Sequence, residues 1–302
     1  MYKILSWALF LALGVSLPGV AADNAPLADV HLHYHWDQTE NTDAEDAVRI
    51  LRQQNVVLAV VSSIPPEMAL ELRQAAGDWV LPFFMPYLGP SERFRWFRDQ
   101  RVLPAARRAL ESGEFVGIGE VHLIAGMGPG LKNEILHGLF KLAIEFEVPL
   151  LIHIETSSHQ YFLPLCRQYP QARILLAHAG GLLDAKEIGQ LMHACRNIWV
   201  EFSARDHWRY IESPIVDDEG RLLAGWRALI EKYPHRFMIG SDPVWPVDGR
   251  HRWDEADTGW LKMPEYLDFH RKWLSYLPAP LRNKVMRQNA QQFFAIAGKN
   301  KH

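Results

Sequence analysis

The sequence predicts a single (β/α)8 barrel with closing helices at its C-terminal end, and three observations predict it. Eight apolar runs of strand length recur at intervals of ~25–40 residues, and segments of helical periodicity separate them. No glycine-rich phosphate turn follows the first run, where an open doubly wound sheet would normally carry one; His33-Tyr34-His35-Trp36 stands there instead. A chain of 302 residues is near the size of one such barrel.

Taken in order, the first strand is expected at 28–33 and is followed by a helical pattern at 42–54. The second (56–61) precedes a helix at 66–76, and the third (80–87) one at 105–112. The fourth (115–121) leads to a helix at 133–146, the fifth (148–154) to 158–169, and the sixth (173–178) to 184–194. The seventh (198–202) is separated from the eighth (237–241) by a helix at 222–233. Most of the strands are continuous apolar runs, as both-sided burial of a parallel sheet requires. Residues 265–297 read as the closing helical segment, with no linker or second domain.

Residues 1–22 differ from the rest. Lys3 precedes an apolar run over 4–17, Val20-Ala21-Ala22 offers small residues at a cleavage spacing, and Asp23 follows. The run is short against the ~20 residues of a membrane span. The expectation is a signal peptide at 1–22, a mature domain at 23–302 residing in the periplasm or outside the cell, and no stable membrane insertion. A net charge of -3 without a basic stripe argues against a nucleic-acid partner. Cys166 and Cys195, on separate helices and outside any metal-binding spacing, are read as buried small hydrophobes, with a disulfide between them as the alternative that export allows. A small-molecule substrate is expected, and a homo-oligomer is compatible with the sequence.

The strand ends carry the chemistry. His31 and His33, two apart on a strand, point the same way. Glu120, His153, His178 and Asp242 each finish another apolar run, so in a closed barrel the six converge on one mouth. Four imidazoles and two carboxylates there form a ligand set for zinc or a similar divalent ion, manganese included. Asp29 either orients a ligand histidine or pairs with a buried partner, and both readings stay open. His35 is read as a loop residue near the pocket. His122 faces the way Glu120 does and is a candidate pocket residue. Trp36 and Trp245 follow ligand strands as candidate aromatic walls. After strand seven, Arg205 or Arg209 is a candidate clamp for an acidic substrate, with Trp208 as a wall.

This order of an HxH pair, a strand-four carboxylate, two histidines and an aspartate resembles the amidohydrolase superfamily. Leu176-Ala177-His178-Ala179-Gly180-Gly181, Gly240-Ser241-Asp242-Pro243, Asn289-Ala290 and Phe293-Phe294 resemble its amidohydrolase-related (amidohydrolase 2) branch. The resemblance implies that His31, His33 and Asp242 hold the more buried metal. It gives His153 and His178 a second ion or, in one-metal members, one ligand and one substrate-facing group. Glu120 stands where some relatives carry a bridging carboxylated lysine and others a glutamate, so one or two ions are compatible. The implied reaction is attack of a metal-activated water on an ester, lactone, amide or related bond, with Asp242 moving the proton and His178, if free, polarising the substrate oxygen. The alternatives are a metal-dependent decarboxylase, a deoxyribonuclease-like phosphoesterase and a non-catalytic metal-binding barrel.

Overall fold

The computed structural model describes residues 24–206, 208–209, 213–244 and 256–295. The expected signal peptide and Trp245 lie outside them. Eight parallel strands stand side by side in sequence order: β1 (Leu27–His33), β2 (Val56–Ser62), β3 (Val80–Phe84), β4 (Gly117–Ile124), β5 (Leu150–Glu155), β6 (Ile174–Leu176), β7 (Ile198–Glu201) and β8 (Phe237–Met238). The Val30 N–H donates to the Ile239 carbonyl at 3.0 Å and the Asp242 N–H to the His31 carbonyl at 2.8 Å, which brings β8 against β1. The (β/α)8 barrel expected from the sequence is therefore present.

Seven helices connect the strands: α1 (Ala44–Gln53), α2 (Met68–Ala76), α3 (Val102–Glu111), α4 (Glu134–Glu145), α5 (Leu163–Gln168), α6 (Ala185–Ala194) and α7 (Ala224–Lys232). Local chemistry sets several of their starts. Asp43, Asn133 and Asp184 accept hydrogen bonds from the backbone N–H groups of Asp46, Leu136 and Glu187, satisfying donors that the first turn leaves free. Each helix lays an apolar face on the outside of the barrel, against residues such as Leu32, Val61, Ile118, Ile152 and Val200.

A second, smaller core fills the barrel itself. Ala28, Val30, Val60, Phe83, Leu151, Leu175 and Met238 meet Ala290, Phe293 and Phe294. The last three belong to α10 (Asn289–Ala295), reached through α8 (Met263–Ser275), α9 (Ala279–Asn283) and a widened turn at Lys284–Gln288. Asn289 donates to the carbonyls of Pro234 and Phe237, fixing α10 across the end where the strands begin. The closing segment thus plugs the floor and leaves the other end open. Among the described residues, no helix is long and apolar enough to cross a membrane.

One expectation is corrected here. Cys166 on α5 and Cys195 just after α6 are buried, as read, but they are joined in a disulfide with Cα atoms 6.0 Å apart. Their distance depends on how two neighbouring crossover helices pack, which spacing along the chain does not report.

Candidate metal centre

Two irregularities aim the mouth residues. The pairing of β1 with β2 slips between Asp29 and Leu32, and that of β4 with β5 between Ile118 and Val121. Ala28 and Val30 face the barrel interior, whereas Leu32 and Tyr34 join the layer beneath the helices. Past the slip, His31 and His33 turn inward, as do Glu120 and His122 in β4. Gly119 has a φ of +138°, and a Cβ there would run into the carbonyl of Leu151. Only glycine fits where β4 slips.

His178 and Asp242 stand just past their strands rather than on them. His178, Ala179 and Asp242 take left-handed φ values of +53°, +47° and +49°, which cost about 1–2 kcal/mol each for a residue with a side chain. Two buried arginines hold these turns. Arg205 donates to the carbonyls of His178 and Gly181. Arg209, paired with the buried Asp206, donates to the carbonyls of Asp242 at 2.6 Å and Ser241 at 2.8 Å. Neither lines the cavity, so the expectation that Arg205 or Arg209 clamps substrate is corrected. Their forks are engaged with the backbone carbonyls of the turns they hold.

The six expected residues meet. Glu120 Oε2 lies 3.5 Å from His31 Nε2 and 3.3 Å from His33 Nε2. Its Oε1 lies 3.0 Å from His153 Nδ1 and 3.1 Å from His178 Nε2. Asp242 Oδ1 is 3.4 Å from His33 Nε2. All six residues are no more than 4% exposed.

The outer nitrogens of three rings are occupied. The Nδ1 of His33 faces the Ser62 carbonyl at 3.1 Å, that of His31 meets Glu201 Oε1 at 2.9 Å, and that of His178 meets Ser203 Oγ at 2.8 Å. With Nδ1–H donated outward, the Nε2 lone pairs point to the centre, the tautomer a metal ligand needs. The His31 and His33 Nε2 atoms are only 3.1 Å apart. Two lone pairs at that distance repel unless a proton or a cation lies between them. Burial opposes charge on His31, yet Glu120 and Glu201 on either side lift its pKa well above the usual imidazole value. The donor set fits divalent cations, with two groups of three sharing Glu120: His31, His33 and Glu120, and Glu120, His153 and His178.

Glu201 was not singled out by sequence reasoning, although Ile198-Trp199-Val200-Glu201 shows the same apolar run ending on a carboxylate. It binds the His31 ring, the His178 N–H at 2.8 Å and the Ser203 N–H at 2.6 Å. Burial raises its pKa, but His31, His178 and these hydrogen bonds outweigh that and bring it to about 2. Gly240 lets it approach, since a Cβ there would sit 2.8 Å from Glu201 Oε2 and 2.7 Å from the His31 Cβ. Asp29 resolves the other way. Its Oδ1 accepts from the N–H groups of Ser241 at 2.9 Å and His31 at 3.3 Å, so it ties β1 to the turn after β8 and touches no ligand ring. Burial raises its pKa to about 7.

Above the centre lies a cavity of about 250 Å³, whose wall includes His35, Trp36, Arg93, His122 and Glu155. Trp36, His35 and His122 therefore stand on the cavity. The Nδ1 of His122 and its N–H both meet the Tyr87 hydroxyl, at 2.7 and 2.9 Å. Glu155 Oε1 is 3.0 Å from His153 Nε2. Trp208 is not on this wall; its ring packs edge-on to Phe269 with centroids 5.8 Å apart. The expectation of Trp208 as a pocket wall is corrected, because the segment after β7 turns towards α8. Arg93 and Glu155 carried no signal in the sequence that separates them from solvated loop charges.

Comparison with known proteins places this site in a family. The sequence matches the amidohydrolase family over residues 28–296. The fold is shared with an amidohydrolase from Burkholderia multivorans at a TM-score of 0.56 and 15% identity, covering 90% of this chain and 99% of that one. It is shared with a mutant PTE-like lactonase from Deinococcus radiodurans at 0.56 and 15%, covering 91% and 98%. A dihydroorotase matches at 0.54 and 15%, covering 91% and 70%. No protein of curated function matches the sequence. With nearly all of its described length matched, the chain belongs to the amidohydrolase family, a membership that supports an enzyme of metal-dependent hydrolytic or related chemistry.

Proposed function

We propose that this protein is an exported, two-cation hydrolase that cleaves an ester, lactone, amide or related bond of a small molecule. The observation that carries the reading is Glu120, which turns one carboxylate oxygen to His31 and His33 and the other to His153 and His178. One cation would be held by His31, His33 and Asp242, the other by His153 and His178, with Glu120 shared; zinc suits this nitrogen and oxygen set, and manganese is the alternative. When bound, such cations supply Lewis acidity towards a substrate oxygen and lower the pKa of a water.

The chain's own residues do the rest. Asp242 lines the cavity and takes the proton of the attacking water, then returns it to the leaving group. Arg209, on its carbonyl, keeps that carboxylate aimed. His178 is held from behind by Ser203 and serves as a ligand rather than a free polarising group. Trp36, Ile64 and Met85 supply apolar wall, and a cavity of about 250 Å³ suits a compact molecule rather than a polymer. Export accords with the disulfide, which persists in oxidising compartments.

The test is elemental analysis of protein purified without chelator, beside a panel of esters, lactones and amides. About two ions per chain are expected. Glu120→Ala should lower that count and reduce turnover on the order of 10³-fold. A single ion that survives the substitution, with turnover of carboxylated aromatics instead of esters, would replace this reading with a decarboxylase.

A further inference from the structure

The cavity wall carries a cation that the hydrolytic chemistry does not use. Arg93 follows the short turn Pro90–Glu92 after β3 and lines the cavity. Among the described lining residues it is the single lysine or arginine. Several arginines of the molecule face carboxylates, as Arg101 faces Asp99 and Glu92, Arg107 faces Glu145, and Arg209 faces Asp206, while Arg205 and Arg236 are engaged by backbone carbonyls. No carboxylate of the described residues pairs with Arg93, whose one hydrogen bond is to His122 Nε2 at 3.3 Å.

That contact also sets a distance. His122 Nε2 lies 3.6 Å from Glu120 Oε2, so a single imidazole ring separates the guanidinium from the carboxylate shared by both ligand groups. An arginine fork facing enclosed space, without an anion, matches a planar carboxylate bidentately.

We propose that Arg93 anchors a substrate carboxylate one side chain away from the bond that is cleaved, so the substrates are small acids that also carry an ester, lactone or amide. This rests on the hydrolase reading above. The carboxylate enters with one negative charge and leaves unchanged, and it fixes which carbonyl lies over Glu120. Lysine would keep the charge but lose the fork.

Glutarate and butyrate are the probes, titrated calorimetrically into the metal-loaded protein and into Arg93→Ala and Arg93→Lys. Butyrate can meet the metal centre alone, whereas glutarate can reach the centre and Arg93 together. The wild type should bind glutarate at least about tenfold more tightly than butyrate, Arg93→Ala should bring the ratio close to one, and Arg93→Lys should fall between. Metal content, measured on the same samples, should be equal in all three. A wild-type ratio near one, or a ratio that survives Arg93→Ala, at normal metal content, overturns the anchor and leaves the hydrolase standing. Failure of the wild type to take up metal overturns the hydrolase reading, and the anchor falls with it.

Discussion

At the floor of the barrel, Phe83, Leu151, Leu175 and Met238 pack against Phe293 and Phe294 of α10, with no polar side chain among them. A few residues further along the same strands, His31, Glu120, His153, His178, Glu201 and Asp242 bury imidazoles and carboxylates at 0 to 4% exposure. The floor stabilises the fold by removing apolar surface from water, at about 25 cal/mol per Å². The mouth holds groups whose burial is costly until each has a partner or a cation. One set of strands thus separates stability from chemistry along its length. The floor depends on volume, and the mouth depends on which atom faces which.

The largest test of this contrast is Phe83→Ala. Removing a fully buried ring from the floor should cost about 3–5 kcal/mol in denaturant unfolding, while bound metal per folded chain stays unchanged. Loss of metal together with stability would mean that the two ends are not separable.

A smaller effect should come from pH in the chelated protein. Burial lowers the His153 pKa, but hydrogen bonds with Glu120 and Glu155 outweigh it and raise the value to about 9, against 6.5 for the ordinary imidazole. Protonated His153 therefore contributes stability that is fully present below pH 6.5 and is lost as pH rises through about 9. The loss should be on the order of 3 kcal/mol. Metal affinity should move oppositely and rise over that window, because proton and cation compete for the ring. A flat stability profile in the chelated protein would remove the ionised pairing of His153 from the mouth.

The smallest effect belongs to Glu201→Gln. It keeps the shape of a side chain that touches no cavity but weakens its hold on the His31 ring. Metal affinity, read by chelator competition, should fall about 10–100-fold. Unaltered affinity would show that Glu201 serves only the His178 and Ser203 backbone.

Much of this was legible along the chain. The eight strands announce themselves as apolar runs, and six of the mouth residues stand out because each such run stops on an imidazole or carboxylate. The same signature marks Glu201, so the sequence contained it unread. Arg93 had no such mark, because one arginine in a loop looks like any solvated charge. Arg205 stands in the loop after β7 where a substrate clamp is expected, but its partners are backbone carbonyls. Nothing local says that its guanidinium turns towards the carbonyls of His178 and Gly181 rather than towards substrate.

The sequence by itself determined the order of elements, the residue types at the mouth and the family, since apolar periodicity and side-chain chemistry are properties of neighbouring residues. Only the tertiary structure decided the slips in β1 and β4, the left-handed turns under His178 and Asp242, the pairing of Cys166 with Cys195, and the Glu120 oxygen that faces each pair of histidines. Each of these depends on distances between residues far apart in the chain, which packing of the whole barrel sets.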